Sequence, residues 1–307
     1  MTLPLANKVA LITGANAGLG YQLSLSLARM GAHVVMACRS PQRAEQARRQ
    51  LVEEVPGAIA TTLPLDLGDP DSISGLGVLV GQRVGQLDLL IHNAGVYGVP
   101  LSRNGAGHEL HFVTNYLGPF ALTGVLFPFL RDAPGSRVVF VSSLAHRFGK
   151  LRVEPSNEQD AGYRPLAAYG HSKLAMMAHM LELDRRLRAR GSQIIALSAH
   201  PGFAPTDTAK RHADQNSKSA FGKWLIKKVE ARMPSVADAA APILHAACAE
   251  GVHGGDYYGP NGWFEIAGSP AKARINAQAL NAALAGQLWS AAEALTGVRY
   301  LSVESAS

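Results

Sequence analysis

The sequence predicts an α/β protein built on a doubly wound parallel sheet. Short apolar runs rich in β-branched residues alternate with longer stretches of helical periodicity, which is the order of a βαβ chain. A glycine-rich turn stands between the first such run and the first helical stretch. Apolar residues make up 47% and charged residues 17% of the 307, which suffices for a large core. We therefore expect a single domain over residues 1–307.

The first two pairs of strand and helix give the clearest signals. Residues 8–13 form an apolar run typical of a buried strand, and residues 18–30 continue in a helical pattern. The run at 33–38 predicts a second strand. Residues 41–54 are polar with a helical period, and Pro41 suits a first helical turn, whose N–H groups have no partner within the helix.

The middle of the chain continues the alternation with weaker signals. Residues 59–65 predict a third strand, and a helix weakened by several glycines follows from Asp71. Residues 87–92 predict a fourth strand, and the stretch 108–130 has a mostly helical pattern.

The last strands and a long helix complete the predicted sheet. Residues 137–141 predict a fifth strand, 167–190 a long helix and 193–197 a sixth strand. The rhythm then breaks at 203–234, a basic segment with aromatic residues that we interpret as a substrate lid. The alternative is a surface helix packed on the core. A C-terminal helix is predicted over 271–297.

Composition narrows the function classes. The net charge of +6 is dispersed and no nucleic-acid-binding motif accompanies it, so we expect no nucleic-acid partner. Cys38 and Cys248 are too few for a disulfide scaffold, and the 11 histidines follow no metal-ligand pattern, so we predict no catalytic metal. Residues 1–8 lack a secretory segment, and no apolar run is long enough to span a membrane. We therefore expect a cytoplasmic protein without a membrane anchor.

The glycine-rich turn has the spacing Gly-x-x-x-Gly-x-Gly. Glycines there permit a tight turn and let the backbone approach a pyrophosphate, while the following helix N-terminus supplies N–H donors. The sequence therefore predicts dinucleotide binding at this turn, through Gly14, Asn16, Gly18, Leu19 and Gly20.

This spacing resembles that of the short-chain dehydrogenase/reductase family, and the resemblance extends over residues 7–266. Asp66 and Leu67 follow the third predicted strand, where the family's acidic residue meets the adenine ring. Segments after the fourth and sixth strands also resemble family motifs, and Thr206 lies where family members hold the nicotinamide carboxamide. The resemblance implies a Rossmann-type fold and further cofactor contacts from Asn93, Ala94, Gly95, Pro201, Gly202 and Thr206.

Three further features resemble the retinol-dehydrogenase-like branch of that family. They are the segment Ser143-Leu144-Ala145-His146, the long interval from Ser143 to Tyr169, and the segment Leu288-Trp289-Ser290 in the predicted terminal helix.

The residues at the end of the second predicted strand indicate whether NAD or NADP is preferred. An acidic side chain there would bind the ribose 2′-hydroxyl and repel a 2′-phosphate, but the chain has Cys38 followed by Arg39. A guanidinium pairs well with phosphate, and no carboxylate follows before Glu45. The alternative is an arginine that only keeps a strand end solvated, and Ala17 stands where some NADP-preferring members carry a basic residue. We predict NADP(H), with NAD(H) left open.

The long helix begins with Tyr169-Gly170-His171-Ser172-Lys173, which resembles the family's Tyr-x-x-x-Lys motif. Residues four apart share one face of a helix, and a nearby ammonium favours a phenolate. We therefore expect Lys173, together with oxidised nicotinamide, to lower the pKa of Tyr169. The resemblance also implies that Lys173 holds the nicotinamide ribose and that Tyr169 exchanges the proton.

The resemblance adds a serine and an asparagine to the catalytic set. Ser143 ends the fifth predicted strand, and its hydroxyl is expected to hold the substrate carbonyl, which leaves Ser142 to bond to backbone. Asn115 resembles the family's helix-kinking asparagine, which supports a proton relay to the active-site lysine. The alternative is a surface asparagine that caps a turn.

Together these features predict an NADP(H)-dependent alcohol dehydrogenase or carbonyl reductase. It would transfer a hydride between nicotinamide and a lipophilic ketone, aldehyde or secondary alcohol. A homodimer or homotetramer is the assembly that the resemblance suggests. A second hypothesis is a non-catalytic NAD(P)-sensing protein on the same fold, which needs the glycine turn but not the catalytic set. A third is a basic nucleic-acid-binding protein.

Overall fold

The computed structural model describes residues 3–153, 162–203 and 234–301. At its centre is an eight-stranded sheet in the order β3-β2-β1-β4-β5-β6-β7-β8. Neighbouring strands are parallel except β7 and β8, which are antiparallel. The strands are β1 Val9–Thr13, β2 His33–Cys38, β3 Ala60–Pro64, β4 Leu89–His92, β5 Arg137–Val141, β6 Ile195–Ala199, β7 Tyr257–Pro260 and β8 Pro270–Lys272.

Helices cover both faces of this sheet. Leu23, Leu51 and Ile243 belong to the apolar cluster on one face, and Leu76, Phe120 and Met177 to the cluster on the other. The described α-helices are α1 Gly18–Arg29, α2 Pro41–Glu54, α3 Pro70–Arg83, α4 Leu110–Phe112, α5 Gly118–Leu126, α6 Pro165–Ala189, α7 Val236–Cys248 and α8 Ala282–Thr296. The predicted doubly wound parallel sheet is therefore confirmed.

The strand order reverses between β1 and β4, and this reversal positions the site. From β1 the chain winds outward through β2 and β3, then returns to β4 on the other side and winds outward again. The loops that leave the carboxyl ends of β1 and β4 consequently diverge and leave a crevice, which is where doubly wound sheets bind ligands. Gly14 and Asn93 are the first residues of those two loops.

All six predicted strands are present, with small shifts at their ends. The sixth lies at Ile195–Ala199 instead of 193–197, because the N–H of Gln193 donates to the Asp132 carboxylate before the strand begins. β7, β8 and α7 are additions that the sequence did not predict. The sequence of β7, Tyr-Tyr-Gly-Pro, contains two residues that are depleted in strands.

The predicted helical stretch 108–130 is helical in four segments of three different geometries. α4 passes into a π-helical turn over Val113–Leu117, then into α5 and a 3₁₀ turn over Phe127–Phe129. At the π turn, the N–H of Gly118 donates to the Val113 carbonyl five residues earlier. Such turns widen a helix locally and occur at functional sites.

The same region corrects an expectation about membrane spans. Leu110–Phe129 is long and apolar enough to cross a membrane by length and composition, and we expected no stretch of this kind. Two-thirds of its apolar window, 67%, is buried inside the fold. Phe120 illustrates the reason, since its ring packs against Trp289 of α8 and His179 of α6.

The predicted C-terminal helix over 271–297 is wrong in its first part. Residues 270–272 instead form β8, whose Lys272 pairs with Tyr258 of β7. The helix begins at Ala282, where the Asn281 side chain accepts the N–H of Leu284 as a cap, and Gly297 ends it with a positive φ of 71°. Of the predicted lid at 203–234, residues 204–233 lie outside the described residues, so the lid stays a prediction.

Candidate active site

The glycine turn closes tightly between β1 and α1. Gly14 and Gly18 have φ of 66° and 52°, a backbone region that favours glycine. A Cβ on Gly20 would lie 2.3 Å from the Gly14 carbonyl oxygen, so only glycine permits this approach. Asn16 and Leu19 are half-buried in the same turn.

Thr13 and Asn93 fasten this turn to the end of β4. The Thr13 hydroxyl accepts the N–H groups of Asn93 and Ala94 at 3.0 and 2.9 Å. The Asn93 amide donates to the Thr13 carbonyl at 2.9 Å. Sequence reasoning missed Thr13, although its position directly before Gly14 at a strand end was a usable signal.

The N-terminus of α1 fits a phosphate ligand. Its N-cap is Ala17, which contributes no side-chain cap, and no acidic residue lies in the first turn. A Cβ on Gly18 would meet no atom within 4 Å, so the space in front of this turn is open. The first N–H groups of the helix and its dipole could therefore hold a pyrophosphate.

Arg39 follows β2 at the same edge of the sheet and is exposed. Within the part of the chain that the structure describes, it has no ion-pair partner. Glu45, the nearest downstream carboxylate, is held by Arg48 at 2.8 Å and Arg49 at 3.1 Å. These contacts lower the pKa of Glu45 to about 2. Cys38 is buried, and burial raises the pKa of its thiol to about 11.

Asp66 and Leu67 lie beyond the end of β3. The Asp66 carboxylate accepts the N–H of Gly68 at 2.9 Å, and the Asp66 N–H donates to the Ser72 hydroxyl at 2.9 Å. Leu67 is buried, and a Cβ on Gly118 would lie 2.4 Å from the Leu67 carbonyl oxygen. The loop is thus fixed against α5.

Ser143 lies beside Tyr169, and Ser142 does not. The side chains of Tyr169 and Ser143 lie close enough for Ser143 to lower the pKa of the Tyr169 phenol. Ser143 also caps the 3₁₀ turn Leu144–Phe148, by accepting the N–H of Ala145 at 3.2 Å. The Ser142 hydroxyl is buried against the Tyr257 hydroxyl. The expected bond from Ser142 to backbone is therefore wrong for its side chain, although its N–H donates to the Ala199 carbonyl.

Burial controls the pKa of Tyr169 in the protein itself. Desolvation raises this pKa to about 12, against a smaller opposite effect of Ser143, and the lowering expected with oxidised nicotinamide bound stays a prediction. The ammonium of Lys173 lies 5.8 Å from the centre of the Tyr169 ring and donates to the Val141 carbonyl at 2.8 Å. Burial also lowers the pKa of Lys173 to about 8.

Asn115 is buried in the π turn and does not cap a surface turn. Its side chain accepts the N–H of Val96 at 2.8 Å and donates to the Val96 carbonyl and the Ser172 hydroxyl, each at 3.0 Å. A Cβ on Gly95 would lie 2.9 Å from Asn115 Oδ1 and 3.5 Å from Lys173 Nζ. Gly95 thus allows the loop after β4 to pass between Asn115 and Lys173.

Ser172 is a site residue that sequence reasoning missed. Its hydroxyl donates to the Tyr169 carbonyl at 2.8 Å and accepts the amide of Asn115. Its place directly before Lys173 in the motif was the available signal.

A buried polar cluster lies against the other side of Tyr169. Glu109 caps α4 and accepts hydrogen bonds from the His111 ring and the Tyr163 hydroxyl, both at 2.7 Å. Burial opposes ionisation of Glu109, but these bonds and two backbone N–H groups lower its pKa to about 2. The rings of His111 and Tyr97 contact the Tyr169 ring at centroid distances of 6.1 and 4.9 Å. No pattern in the sequence predicts this cluster.

The Pro201-Gly202 turn follows β6 and is held by His200. The N–H of Gly202 donates to His200 Nδ1 at 3.1 Å, so the ring proton is on Nε2, which donates to Glu265 at 2.9 Å. Burial lowers the pKa of His200 to about 4, so the ring is neutral. Gly202 has a φ of 71°, and a Cβ there would lie 2.2 Å from the Ile266 carbonyl oxygen. Thr206 lies outside the described residues.

Metal ligands do not converge anywhere in residues 3–153, 162–203 and 234–301. No group of three His, Cys, Asp or Glu side chains is arranged to hold an ion there. The two cysteines, Cys38 and Cys248, are unpaired.

Comparison with known proteins links this arrangement to one family. The sequence model for short chain dehydrogenase matches residues 8–217. Retinol dehydrogenase 13 of Homo sapiens is 35% identical over 254 residues, which cover 81% of this chain and 74% of that protein. Polyprenol dehydrogenase of Homo sapiens is 34% identical over 303 residues, covering 96% and 87%.

A solved structure agrees with the fold over nearly its whole length. It is the crystal structure of an uncharacterized protein from Mycobacterium paratuberculosis, with a TM-score of 0.78 and 35% sequence identity. The match covers 97% of each chain.

Proposed function

The chain belongs to the short-chain dehydrogenase family, in its retinol-dehydrogenase-like branch, and we propose that it is an NADP(H)-dependent oxidoreductase of lipophilic alcohols and carbonyls. The observation that carries this proposal is that the side chains of Ser143 and Tyr169 lie close together, with Lys173 one helical turn further along α6 and its ammonium 5.8 Å from the centre of the Tyr169 ring.

We propose that the two hydroxyls act on one oxygen atom of the substrate. Both can reach a single carbonyl or alcohol oxygen, because their side chains lie close together. Tyr169 would then give its proton to that oxygen in reduction and remove it in oxidation. Ser143 would hold the oxygen and orient the carbonyl.

Lys173 and Asn115 are proposed to serve the proton and the cofactor. A lysine with a pKa of about 8 keeps a proton at neutral pH and gives it up readily, which suits a relay. Asn115 connects to this lysine through the backbone of Gly95 and through Ser172. Bound nicotinamide would accept or supply the hydride at its C4 carbon.

The dinucleotide is proposed to lie across the crevice between β1 and β4. The open N-terminus of α1 would take the pyrophosphate, and the loops after β3, β4 and β6 would contact the adenine and nicotinamide ends, with Thr206 as a further proposed contact. Arg39 supports NADP(H) over NAD(H), because its guanidinium is exposed and its neighbour Glu45 is already paired.

The proposed substrate class follows from the relatives. Two relatives are named as dehydrogenases of retinol and of polyprenol, which are long apolar alcohols. We therefore propose a lipophilic alcohol or its aldehyde or ketone, with residues 203–234 as the proposed lid.

Cofactor titration and a substrate screen test this proposal. We expect NADPH to bind more tightly than NADH by about tenfold to a hundredfold, since a charge-assisted pair contributes about 1.5–3 kcal/mol. Arg39→Ala should remove most of the difference, and Arg43→Ala, an exposed arginine on α2, is the matched control. NADPH consumption with apolar aldehydes and ketones should identify the substrate. Tight NADPH binding without turnover of any carbonyl would favour a dinucleotide sensor instead.

A further inference from the structure

The Pro201-Gly202 turn and the 3₁₀ turn Leu144–Phe148 are joined by a chain of polar contacts through Glu265. On one side, Glu265 accepts the Nε2–H of His200, whose Nδ1 accepts the N–H of Gly202. On the other side, the Glu265 carboxylate is 2.5 Å from the guanidinium of Arg147. Arg147 lies in the 3₁₀ turn that Ser143 caps. One carboxylate thus contacts both proposed halves of the reaction site.

The backbone around Glu265 is held in a conformation that few side chains adopt. Phe264 and Glu265 have φ of 50° and 57°. Non-glycine residues persist in this region when surrounding contacts determine them, and such residues cluster at functional sites. The side chain of Phe264 is 66% exposed, so the core does not explain the conformation. The contacts of the Glu265 carboxylate and the backbone hydrogen bonds of the turn, such as that from the Phe203 N–H to the Ile266 carbonyl, hold this conformation.

The 3₁₀ turn Leu144–Phe148, which Ser143 caps, is held by further hydrogen bonds. His146 is buried, and its Nδ1–H donates to the Ser143 carbonyl at 2.7 Å. The Asn276 amide donates to the carbonyls of His146 and Arg147. Arg147 and Ser143 therefore belong to one short turn that these hydrogen bonds hold together.

We propose that Glu265 is a positioning residue that couples cofactor binding to the placement of Ser143. This inference rests on the proposed function, because it takes the Pro201-Gly202 turn as a cofactor contact. Arg147 holds the carboxylate against His200, and the carboxylate keeps the His200 proton on Nε2. Nδ1 is then free to accept the Gly202 N–H. Without the carboxylate, a proton on Nδ1 would oppose the Gly202 N–H and loosen the turn.

Coupling of this kind is reciprocal. A ligand that orders the Pro201-Gly202 turn also fixes the Arg147 turn, so bound cofactor would bring Ser143 into register. Removal of Arg147, which is not among the proposed cofactor contacts, should then weaken the binding of cofactor.

The experiment measures the Kd of NADPH by fluorescence, without substrate, for Arg147→Met, Glu265→Gln and the double variant. We expect each single variant to raise Kd about fivefold to tenfold, and the double variant to raise it no further, because both changes break one chain. Arg147→Lys should restore a Kd near that of the wild type. The kcat should fall in the same variants, since Ser143 loses its register.

If these residues affected only the long-range electrostatic attraction of the anionic cofactor, the change in Kd would be different. Glu265→Gln removes a negative charge, so electrostatics alone would tighten NADPH binding, whereas coupling weakens it. Lys150→Met removes an exposed positive charge two residues beyond the 3₁₀ turn and is the matched control for Arg147→Met; its Kd should stay unchanged. Phe264→Gly relieves the backbone but keeps the carboxylate, and it should also leave Kd unchanged.

Two outcomes distinguish a failure of the coupling from a failure of the proposed function. If the wild type binds NADPH and Arg147→Met binds it equally well, or the effects of the two single variants add, the coupling is wrong and the proposed function stands. If the wild type binds neither NADPH nor NADH, the proposed function falls, and the coupling falls with it. Thermal unfolding of each variant shows whether it is folded, and Glu265→Gln, for which coupling and electrostatics predict opposite changes in Kd, carries the test should Arg147→Met not fold.

Discussion

At the scale of single residues, adjacent serines have different environments. Ser143 lies close to the Tyr169 hydroxyl, whereas the Ser142 side chain lies against Tyr257. The sequence could predict which serine matters only through a family resemblance. Two neighbouring residues at a strand end point to opposite faces of the sheet, and nothing local says which face holds the tyrosine.

We expect Ser143→Ala to lower kcat on the order of a hundredfold, because it removes a donor aimed at the reacting oxygen. Ser142→Ala is the matched control and should lose little. Steady-state kinetics with one carbonyl substrate compares them. The reverse order would assign the catalytic hydroxyl to Ser142.

Lys173 combines a proposed role in the reaction with a penalty for stability. Its pKa is lowered from 10.5 to about 8 by burial, so below pH 8 the folded state holds a proton less tightly than the unfolded chain does. The penalty is complete at neutral pH and disappears as the pH rises from 8 to 10.5.

Lys173→Met should therefore abolish turnover while raising the free energy of unfolding at pH 7 by roughly 1–3 kcal/mol. Denaturant unfolding measures this, with Lys150→Met, an exposed lysine, as the control that should change nothing. A loss of stability in Lys173→Met would show that its bond to the Val141 carbonyl outweighs the burial of the charge.

At the scale of elements, periodicity predicted the strands and helices that alternate regularly, and it failed where geometry depends on tertiary contacts. No local sequence pattern indicates the π turn at Val113–Leu117, because the contacts of its Asn115 are with Val96 and Ser172, which lie elsewhere in the sequence. β8 was hidden inside a predicted helix, because its three residues form a strand only by pairing with β7.

A single side chain of α8, Trp289, is packed deeply in the core. Trp289 is 1% exposed, and its ring contacts Phe120, His179 and Tyr300 at centroid distances of 5.0, 5.4 and 4.7 Å. The Leu288 carbonyl accepts the Tyr116 hydroxyl at 3.0 Å. The helix is therefore anchored in the core beside the π turn.

Trp289→Ala should lower the free energy of unfolding by about 3–5 kcal/mol, since it leaves a large cavity. Trp263→Ala is the matched control, because that ring is 80% exposed, and it should change stability by less than about 0.5 kcal/mol. Chemical denaturation of both variants checks this. Equal effects would mean that α8 is not anchored through Trp289.

At the scale of the whole molecule, the core holds histidines that must stay neutral. The His92 Nε2–H donates to the Thr123 hydroxyl, whose own proton goes to the Pro119 carbonyl, and the ring stacks on Phe140. The His179 ring is hydrogen-bonded to the Tyr300 hydroxyl. Burial lowers the pKa of His92 to about 3 and that of His179 well below its usual value. The unfolded chain binds these protons below pH 6.5, whereas the folded protein does not.

Stability should therefore fall as the pH drops from 6.5 toward 4.5, by up to about 1.4 kcal/mol per pH unit for each of these two histidines. Urea unfolding at several pH values measures the slope. His92→Gln should reduce the slope, and His253→Gln, whose side chain is 78% exposed, should not. A flat profile over this range would contradict the burial of neutral imidazoles.

The overall architecture was predictable because alternation and the glycine turn are local signals of a global arrangement. The electrostatics of the site was not. The pKa of Tyr169 depends on how completely the fold removes water from its hydroxyl, and Lys173 bonds to the Val141 carbonyl, 32 residues away in sequence.

The proposed function depends on proton transfer by Tyr169 in an NADPH-dependent reaction. Single-turnover oxidation of bound NADPH by an apolar aldehyde tests it most directly, in the wild type and in Tyr169→Phe, with the Kd of NADPH measured for both. We expect Tyr169→Phe to bind NADPH normally and to lose turnover by at least about a hundredfold, because the phenol supplies the proton but little of the binding. Near-normal turnover in Tyr169→Phe would contradict the claim.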